Sequence, residues 1–333
     1  MKNMQKATTL LLLVALCAVV PALGQGVDKI AQTGMKWLSI PVGARASALG
    51  SAYTAMAADA GAVFWNPAGL ALTEGRHIFL NQTRWIADID VNAASASYTA
   101  GAIGTFGVHF MTVDWGNLNG TRFTSGAELY EETGAFSPES WLIGVSFARR
   151  VSNKFSFGGS LRYVHENLGS SLEGSFDNPE KFEAKMNVMA IDFGTIFYTG
   201  YKDLRIAVTM QNVSQEKEYR FEAFPLPLTF KFGAAINVLQ VMQSAESDQS
   251  ITLSVDALHP RDFSERLHFG AEYSFKKMFF LRTGYKTNYN EEDVTLGGGA
   301  KLTMGKTAFA LDYSYLAFEN FDAVHMFSFD FEF

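Results

Sequence analysis

The sequence predicts an all-β fold: a transmembrane antiparallel β-barrel of about fourteen strands, with a small N-terminal helical or irregular hatch in its lumen. Three observations lead to this prediction. The 333 residues include 29 Phe, 12 Tyr and 29 Gly but only 8 Pro, and aromatic residues favour strands while glycine favours turns. From about Arg76 onward, apolar and polar residues alternate. A stretch of small residues, 41–71, precedes the first strand.

The N-terminus predicts export from the cytoplasm. Lys2 and Lys6 precede a short apolar run at 10–20 that is followed by small residues. This is the pattern of a secretory signal peptide, which we assign to residues 1–24. The apolar run is too short for a membrane-spanning helix, which needs about 20 residues.

Charge and cysteine content limit the partners of the mature chain. Without Lys2 and Lys6 it carries 25 basic and 34 acidic residues, a net charge of −9, which argues against nucleic acid as a partner. The single cysteine, Cys17, belongs to the leader. Leu16 stands where a lipoprotein signal needs a small residue, so we predict no lipid anchor.

The last strand shows the alternation most clearly. Residues 326–333 read MFSFDFEF, with Phe329, Phe331 and Phe333 on one face and small or acidic residues on the other. A period of two with these two faces indicates a strand between an apolar and a wet environment. We interpret the three phenylalanines as a membrane-insertion signal and predict that the barrel-assembly machinery binds this strand.

Other strands carry acidic residues opposite their apolar face. Asp256, Glu272 and Asp312 each alternate with aliphatic or aromatic neighbours. A dry core between two sheets could hold these carboxylates only at a large cost, whereas a hydrated or plugged barrel lumen can accommodate them. Long and short connections also alternate along the chain, as in outer-membrane barrels. We therefore place the short turns in the periplasm and the long loops outside the cell.

Several long loops are rich in aromatic residues. We expect these side chains either to fold over the barrel mouth and contact an apolar partner, or to form the aromatic girdle at the membrane interface. The candidate contact residues are Trp115, Phe123, Tyr130, Phe136, Tyr219, Phe221 and Phe224.

The small-residue stretch is the most specific feature of the mature chain. Its small side chains, from Ala44 to Ala55, share one helical face, and Asn66 followed by Pro67 predicts a helix start with an N-cap. A helix with so few large apolar residues is not stable alone and must pack inside other structure, which the barrel lumen provides. We therefore divide the mature chain into a hatch, residues 25–75, and a barrel, residues 76–333.

The sequence gives no sign of catalysis. None of the six histidines has a second His or Cys at metal-ligand spacing, so no metal site and no cofactor are predicted. No Ser lies in a strained elbow, and no Ser-His-Asp arrangement is apparent. We predict a non-enzymatic protein.

The small-residue stretch resembles the N-terminal signature of the PorV/PorQ family of outer-membrane proteins, which are related to the FadL transporters of hydrophobic compounds. The similarity is carried by Gly43-Ala44-Arg45-Ala46, Ala48-Leu49-Gly50, Ala52-Tyr53, Asp59 and Trp65-Asn66-Pro67-Ala68-Gly69-Leu70. It implies a fourteen-stranded FadL-like barrel with an N-terminal hatch in a Gram-negative outer membrane. It also implies a role in type IX secretion, in which such proteins receive secreted cargo at the translocon.

Two functions follow as alternatives. The first is binding or shuttling of secreted protein cargo at the type IX translocon, and the second is FadL-like transport of a hydrophobic ligand across the outer membrane. In both cases outer-membrane lipid surrounds the barrel. We expect Arg45, Asp59 and Asn66 to anchor the hatch, with Pro67, Ala68 and Gly69 completing the hatch motif.

Overall fold

The chain forms one closed antiparallel barrel of fourteen strands with short hairpins in two of its loops. The computed structural model describes residues 32–123, 130–175, 178–218, 222–242 and 248–333. The predicted signal peptide lies outside the described residues. The number of barrel strands agrees with the prediction, and the first strand begins at Arg76 as predicted.

The strands are β1 (Arg76–Arg84), β2 (Asp90–Thr99), β3 (Thr105–Asp114), β4 (Leu118–Phe123), β5 (Tyr130–Phe136), β6 (Glu139–Ser152), β7 (Phe155–Ser175), β8 (Asn178–Tyr198), β9 (Arg205–Ser214), β10 (Lys217–Glu218), β11 (Ala223–Phe224), β12 (Thr229–Asn237), β13 (Gln249–Pro260), β14 (Arg266–Phe275), β15 (Phe279–Lys286), β16 (Glu292–Met304), β17 (Thr307–Phe318) and β18 (Val324–Glu332). Strands β4 with β5 and β10 with β11 form the two loop hairpins. The remaining strands pair in chain order, and β1 pairs with β18 to close the barrel.

Helices are few and short. The α-helices are α1 (Ala44–Ala48) and α2 (Val238–Met242), and the 3-10 helices are Lys36–Ser39, Ala60–Phe64, Pro67–Leu72 and Ile86–Asp88. None of the helices in the described part of the chain has both the length and the apolar character needed to cross a bilayer. Helix α2 lies in the connection between β12 and β13.

The predicted alternation sets the two faces of the wall. Phe327, Phe329 and Phe333 of the last strand are exposed on the outside, where lipid surrounds a barrel of this kind. Asp256 and Glu272, by contrast, are buried on the inner face. The wall therefore has an apolar outer surface and a polar inner surface.

The lumen is filled by residues 32–75, which we call the luminal segment. Most of its residues are buried. The prediction of one helical face running to Ala55 is wrong, because α1 ends at Ala48. Gly50 and Ser51 adopt φ values of 60° and 64°, which are left-handed and break a right-handed helix. The chain then continues in turns that follow the inner wall.

The luminal segment approaches the wall most closely at wall glycines. A Cβ on Gly284 of β15 would lie 1.9 Å from the Gly50 nitrogen, and one on Gly158 of β7 would lie 2.6 Å from the Pro67 carbonyl. Atoms cannot approach so closely without a shift of the backbone. Glycine is therefore required at these positions by close packing against the segment.

Gly284→Ala is expected to lower the free energy of unfolding by about 1–3 kcal/mol, because the new methyl group overpacks the contact with Gly50. The measurement is urea unfolding of the purified barrel in detergent. Gly298→Ala in β16 is the matched control, since its Cβ would meet only the Phe280 carbonyl oxygen, at 3.5 Å. Equal unfolding curves for the two variants would contradict this account.

Candidate functional site

Polar side chains of the inner wall bind the backbone of the luminal segment. The Asp256 carboxylate in β13 accepts hydrogen bonds from the backbone N–H groups of Tyr53 at 3.1 Å and Thr54 at 2.9 Å. The Thr295 hydroxyl in β16 accepts from the Gly50 N–H at 2.9 Å and donates to the Ala48 carbonyl at 3.0 Å. Because buried backbone groups without partners are costly, these wall residues allow an irregular segment to remain inside the barrel.

The start of α1 is bound where the barrel closes. The Gly43 N–H donates to the Asn81 side-chain oxygen in β1 at 3.1 Å, and the Ala44 N–H donates to the Ser328 hydroxyl in β18 at 2.7 Å. Ser328 in turn donates to Asn81 at 2.9 Å. One group of hydrogen bonds thus joins the segment to the first and last strands.

Arg45 connects the segment to a chain of buried charges on the wall. Its Nε and Nη2 atoms each donate to the Glu272 carboxylate at 2.9 Å. Arg282 donates to the same carboxylate at 2.7 Å and to Asp312 at 2.5 Å. The two-point contact between a guanidinium and a carboxylate fixes the orientation of both groups. Two of the three acidic inner residues seen in the sequence, Glu272 and Asp312, are therefore neutralised by arginines.

Asp59 lies at the edge of this network. Its carboxylate accepts a hydrogen bond from the Tyr53 hydroxyl at 2.5 Å and lies 3.8 Å from the Arg45 guanidinium. Burial raises the pKa of the Asp59 carboxyl, the Asp330 carboxylate adds to the rise, and Arg45 opposes it. Asp59 therefore makes contacts within the luminal segment, whereas Arg45 binds the segment to the wall.

Asn66 both caps a helix and binds the wall. Its side-chain oxygen accepts from the Ala68 N–H at 3.1 Å, with Pro67 at the first helical position, as the sequence predicts. Its amide nitrogen donates to the carbonyls of Thr54 at 2.9 Å and Thr195 at 3.2 Å. Gly69 is buried against the Ala57 carbonyl. The motif is thus a compact turn against the wall.

A cavity of about 530 Å³ lies on the long-loop side of the luminal segment. One side of it is apolar, formed by residues of the segment, the neighbouring strands and their loops. The apolar lining residues include Trp37, Leu38, Ile40, Phe64, Trp85, Met111, Trp115 and Leu142. A concave, mostly apolar space with a few polar groups is the usual form of a small-molecule site.

The other side of the cavity is cationic. Lys36 pairs with Asp262 at 2.7 Å, Lys286 pairs with Glu292 at 2.8 Å, and Arg162 pairs with Asp192 at 2.5 Å. Two further lining cations, Lys231 and Arg266, have no ion pair within the described residues.

The two unpaired cations contact aromatic rings instead. The Lys231 ammonium lies 4.9 Å from the Trp65 ring centre although its residue is only 9% exposed. The Arg266 guanidinium lies 3.9 Å from the Tyr289 ring centre, and its Nε atom is buried with no hydrogen-bond partner in the described part of the chain. Lys231 is stabilised electrostatically by the more distant carboxylates of Asp256 and Asp192. Because burying a charge without a direct ion pair is costly, these cations favour an anionic group in the cavity.

The wall is irregular beside the cavity. The pairing of β8 with β9 shifts between Ile191 and Phe193, and Asn212 opposite adopts a φ of 64°. Arg162 bridges this bulge by donating to Asp192 and to Asn212, at 2.5 and 2.6 Å. Strand β3, by contrast, pairs with both neighbours in unbroken register. The wall beside the cavity is therefore held by side chains where the ladder is interrupted.

The predicted loop aromatics separate into groups. Trp115 lines the cavity, and Phe224 packs against the buried cluster around Met35 and Trp37. Tyr130 and Phe136 are exposed on the β4–β5 hairpin. Phe123 lies in the same hairpin, whereas Tyr219 and Phe221 lie outside the described residues.

Sequence reasoning missed Lys231 and Arg266. A usable signal was present for Lys231, which stands between Phe230 and Phe232 and therefore on the inner face of β12. Such a lysine is unusual in a strand whose outer face is aromatic. In the described part of the chain, no group of three His, Cys, Asp or Glu side chains is arranged as a metal site.

Comparison with known proteins agrees with this architecture. The family model described as outer membrane protein transport protein (OMPP1/FadL/TodX) matches residues 42–216. No curated protein sequence matches the chain.

Solved structures that share the fold include the following three. The Ralstonia pickettii toluene transporter TbuX has 14% identity and a TM-score of 0.56, with 87% of this chain and 98% of that chain covered. The Pseudomonas putida toluene transporter TodX has 12% identity and a TM-score of 0.53, with 86% and 96% covered. A Pseudomonas aeruginosa FadL homologue has 11% identity and a TM-score of 0.53, with 88% and 98% covered.

Arg45→Ala is expected to lower the free energy of unfolding by about 2–3 kcal/mol. Breaking a buried ion pair costs about 3–5 kcal/mol, and here Arg282 still pairs with Glu272. The measurement is urea unfolding of the barrel in detergent, with ion conductance in planar bilayers as a second readout. Arg149→Ala, an exposed residue near the β6–β7 turn, is the control. Unchanged stability and conductance in Arg45→Ala would contradict an anchoring role.

Proposed function

The chain belongs to the outer membrane protein transport protein family (OMPP1/FadL/TodX), and on that premise we propose that it passes hydrophobic small molecules with an anionic end across the outer membrane. The observation that carries the proposal is the two-sided cavity, which is apolar on one side and has unpaired cations on the other. The family and the fold are those of outer-membrane transport channels rather than enzymes.

The cavity suits a molecule with two chemically different parts. Aromatic side chains such as Trp37 and Trp115 offer an apolar surface on which a hydrocarbon gains free energy by leaving water. Lys231 and Arg266 offer charge to a carboxylate or similar group in a partly desolvated site, where such contacts are strong. A neutral hydrocarbon would leave these two cations unpaired. The arrangement therefore favours the amphiphilic ligand.

In the proposed role the luminal segment acts as a hatch below the cavity. Support comes from its burial and its hydrogen bonds to the wall through Arg45 and Asn66. A segment so anchored closes the lumen to ions while a ligand occupies the outer cavity. The division into a hatch at 25–75 and a barrel at 76–333 belongs to this proposal.

A second candidate is the type IX role that the PorV/PorQ resemblance implies. One observation favours it: the β4–β5 hairpin exposes Leu118, Tyr130 and Phe136 beyond the barrel wall, as a surface for secreted cargo or the translocon would. Deleting the gene and assaying surface-attached proteins together with hydrophobic-compound uptake separates the two roles. Loss of surface proteins with normal uptake would favour secretion, and the reverse would favour transport.

Lys231→Met is expected to reduce binding and uptake of a long-chain carboxylate by about tenfold, because a charge-assisted contact contributes about 1.5–3 kcal/mol. Uptake of the uncharged alkane of equal length should stay unchanged. The measurement is uptake of both labelled compounds by cells that lack the native gene and express each variant.

Lys277→Met is the control for this experiment, since Lys277 is exposed on a short turn away from the cavity. Equal loss of uptake for both compounds would reject the role of the cation. If the native protein takes up neither compound, the transport proposal itself fails.

A further inference from the structure

A second, smaller cavity lies at the opposite end of the barrel. It has a volume of about 180 Å³ and is lined at the β6–β7 turn by Arg150, Ser152, Lys154 and Ser156, with Leu72 from the luminal segment. It shares no residue with the larger cavity. A water molecule occupies about 30 Å³ in the liquid, so this space admits a group of several heavy atoms.

The small cavity is positively charged. Among the described residues that line it, Arg150 and Lys154 are cations and none is an Asp or Glu. Neither cation forms an ion pair with any described residue. The Lys154 ammonium lies over the next turn, 2.7 Å from where a Cβ of Gly200 would be, so glycine leaves room for it. The cavity thus attracts anions.

Hydroxyl groups complete the donor set. Ser156 is paired with Arg150 across the strands, is 2% exposed, and its buried hydroxyl oxygen has no hydrogen-bond partner within the described residues. The Ser152 hydroxyl accepts from the Lys154 N–H at 3.2 Å, which leaves its own proton free to donate. Because buried polar groups are normally hydrogen-bonded, a buried hydroxyl without a protein partner indicates that a ligand or water binds there.

The cavity lies at the level of the membrane surface. Phe155 and Phe197, which pair between β7 and β8, and Tyr201 in the following turn are all exposed on the outside. Exposed aromatic residues near the ends of strands form the interfacial girdle of outer-membrane barrels, and short turns face the periplasm. With the short turns on the periplasmic side, as the sequence predicts, the cavity opens at the depth of the inner-leaflet headgroups.

We propose that this cavity binds a phosphate group, supplied either by an inner-leaflet phospholipid or by a free phosphate of the periplasm. A phosphate has several acceptor oxygens and can accept together from a guanidinium, an ammonium and hydroxyl groups, as Arg150, Lys154 and Ser156 provide. The site is independent of the proposed transport function.

The test measures binding of dioleoyl-phosphatidylglycerol to the full-length mature barrel in nonionic detergent by native mass spectrometry. Dioleoylglycerol, which lacks the phosphate, is the matched ligand control. The double variant Arg150→Gln/Lys154→Gln is expected to bind phosphatidylglycerol about tenfold or more weakly, because two charge-assisted contacts are lost.

Lys276→Gln/Lys277→Gln is the matched protein control, since it removes two exposed cations from the β14–β15 turn. Ser156→Ala is a third variant, expected to weaken binding by a smaller factor without a change in net charge. Heat-modified mobility in gel electrophoresis verifies that each barrel is folded.

A second arm adds inorganic phosphate. If phosphate binds the native barrel and displaces phosphatidylglycerol, the source is free phosphate, and if it does neither while the lipid binds, the source is the phospholipid. If both double variants lose phosphatidylglycerol binding equally, the loss reflects only the lower net positive charge, and the proposed site is overturned. Equal binding of dioleoylglycerol, or no binding of either phosphate compound, would also overturn it.

Discussion

The structure depends on hydrogen bonds between inner-wall side chains and the backbone of the luminal segment. An irregular backbone inside a barrel is tolerated only if its N–H and C=O groups find partners. Asp256, Thr295, Asn81 and Ser328 supply those partners from four different strands. The ion pairs of Arg45 and the packing of Leu49 and Tyr53 then add to an arrangement that the wall already determines. The polar inner face and the small-residue segment are thus two halves of one interface.

The same interface explains the distribution of glycine and charge. Glycines such as Gly284 and Gly158 bring the wall close enough for short hydrogen bonds. Gly299 gives space to the Asp312 carboxylate and to Arg282, so this glycine has a packing role. On the long-loop side, past the end of the luminal segment, the inner wall has no segment backbone to bind. There the lumen widens into the large cavity, with Lys231 and Arg266 facing it.

Strand number and the two faces of the wall were predictable because a period of two is a local property, visible in residues such as Phe329 and Asp330. The Asn66 cap was predictable for the same reason. The extent of α1 was not, since the left-handed turn at Gly50 and Ser51 is stabilised by Thr295, more than 240 positions away. The cationic side of the cavity was also hidden, because Lys231 meets Trp65 only once the barrel is closed.

The bonds of Gly43 and Ala44 to Asn81 and Ser328 have a consequence for assembly order. An early part of the chain is held by a side chain that lies 284 residues later, so this docking site is incomplete until the last strand arrives. Contacts between residues so far apart in the sequence form slowly, because the entropy cost of closing a long loop comes before the contacts can offset it. We therefore expect the pairing of β1 with β18 and the binding of the luminal segment inside the barrel to occur in one cooperative step. A barrel in which β1 and β18 have not yet paired would then be recognisable by its protease-sensitive N-terminus.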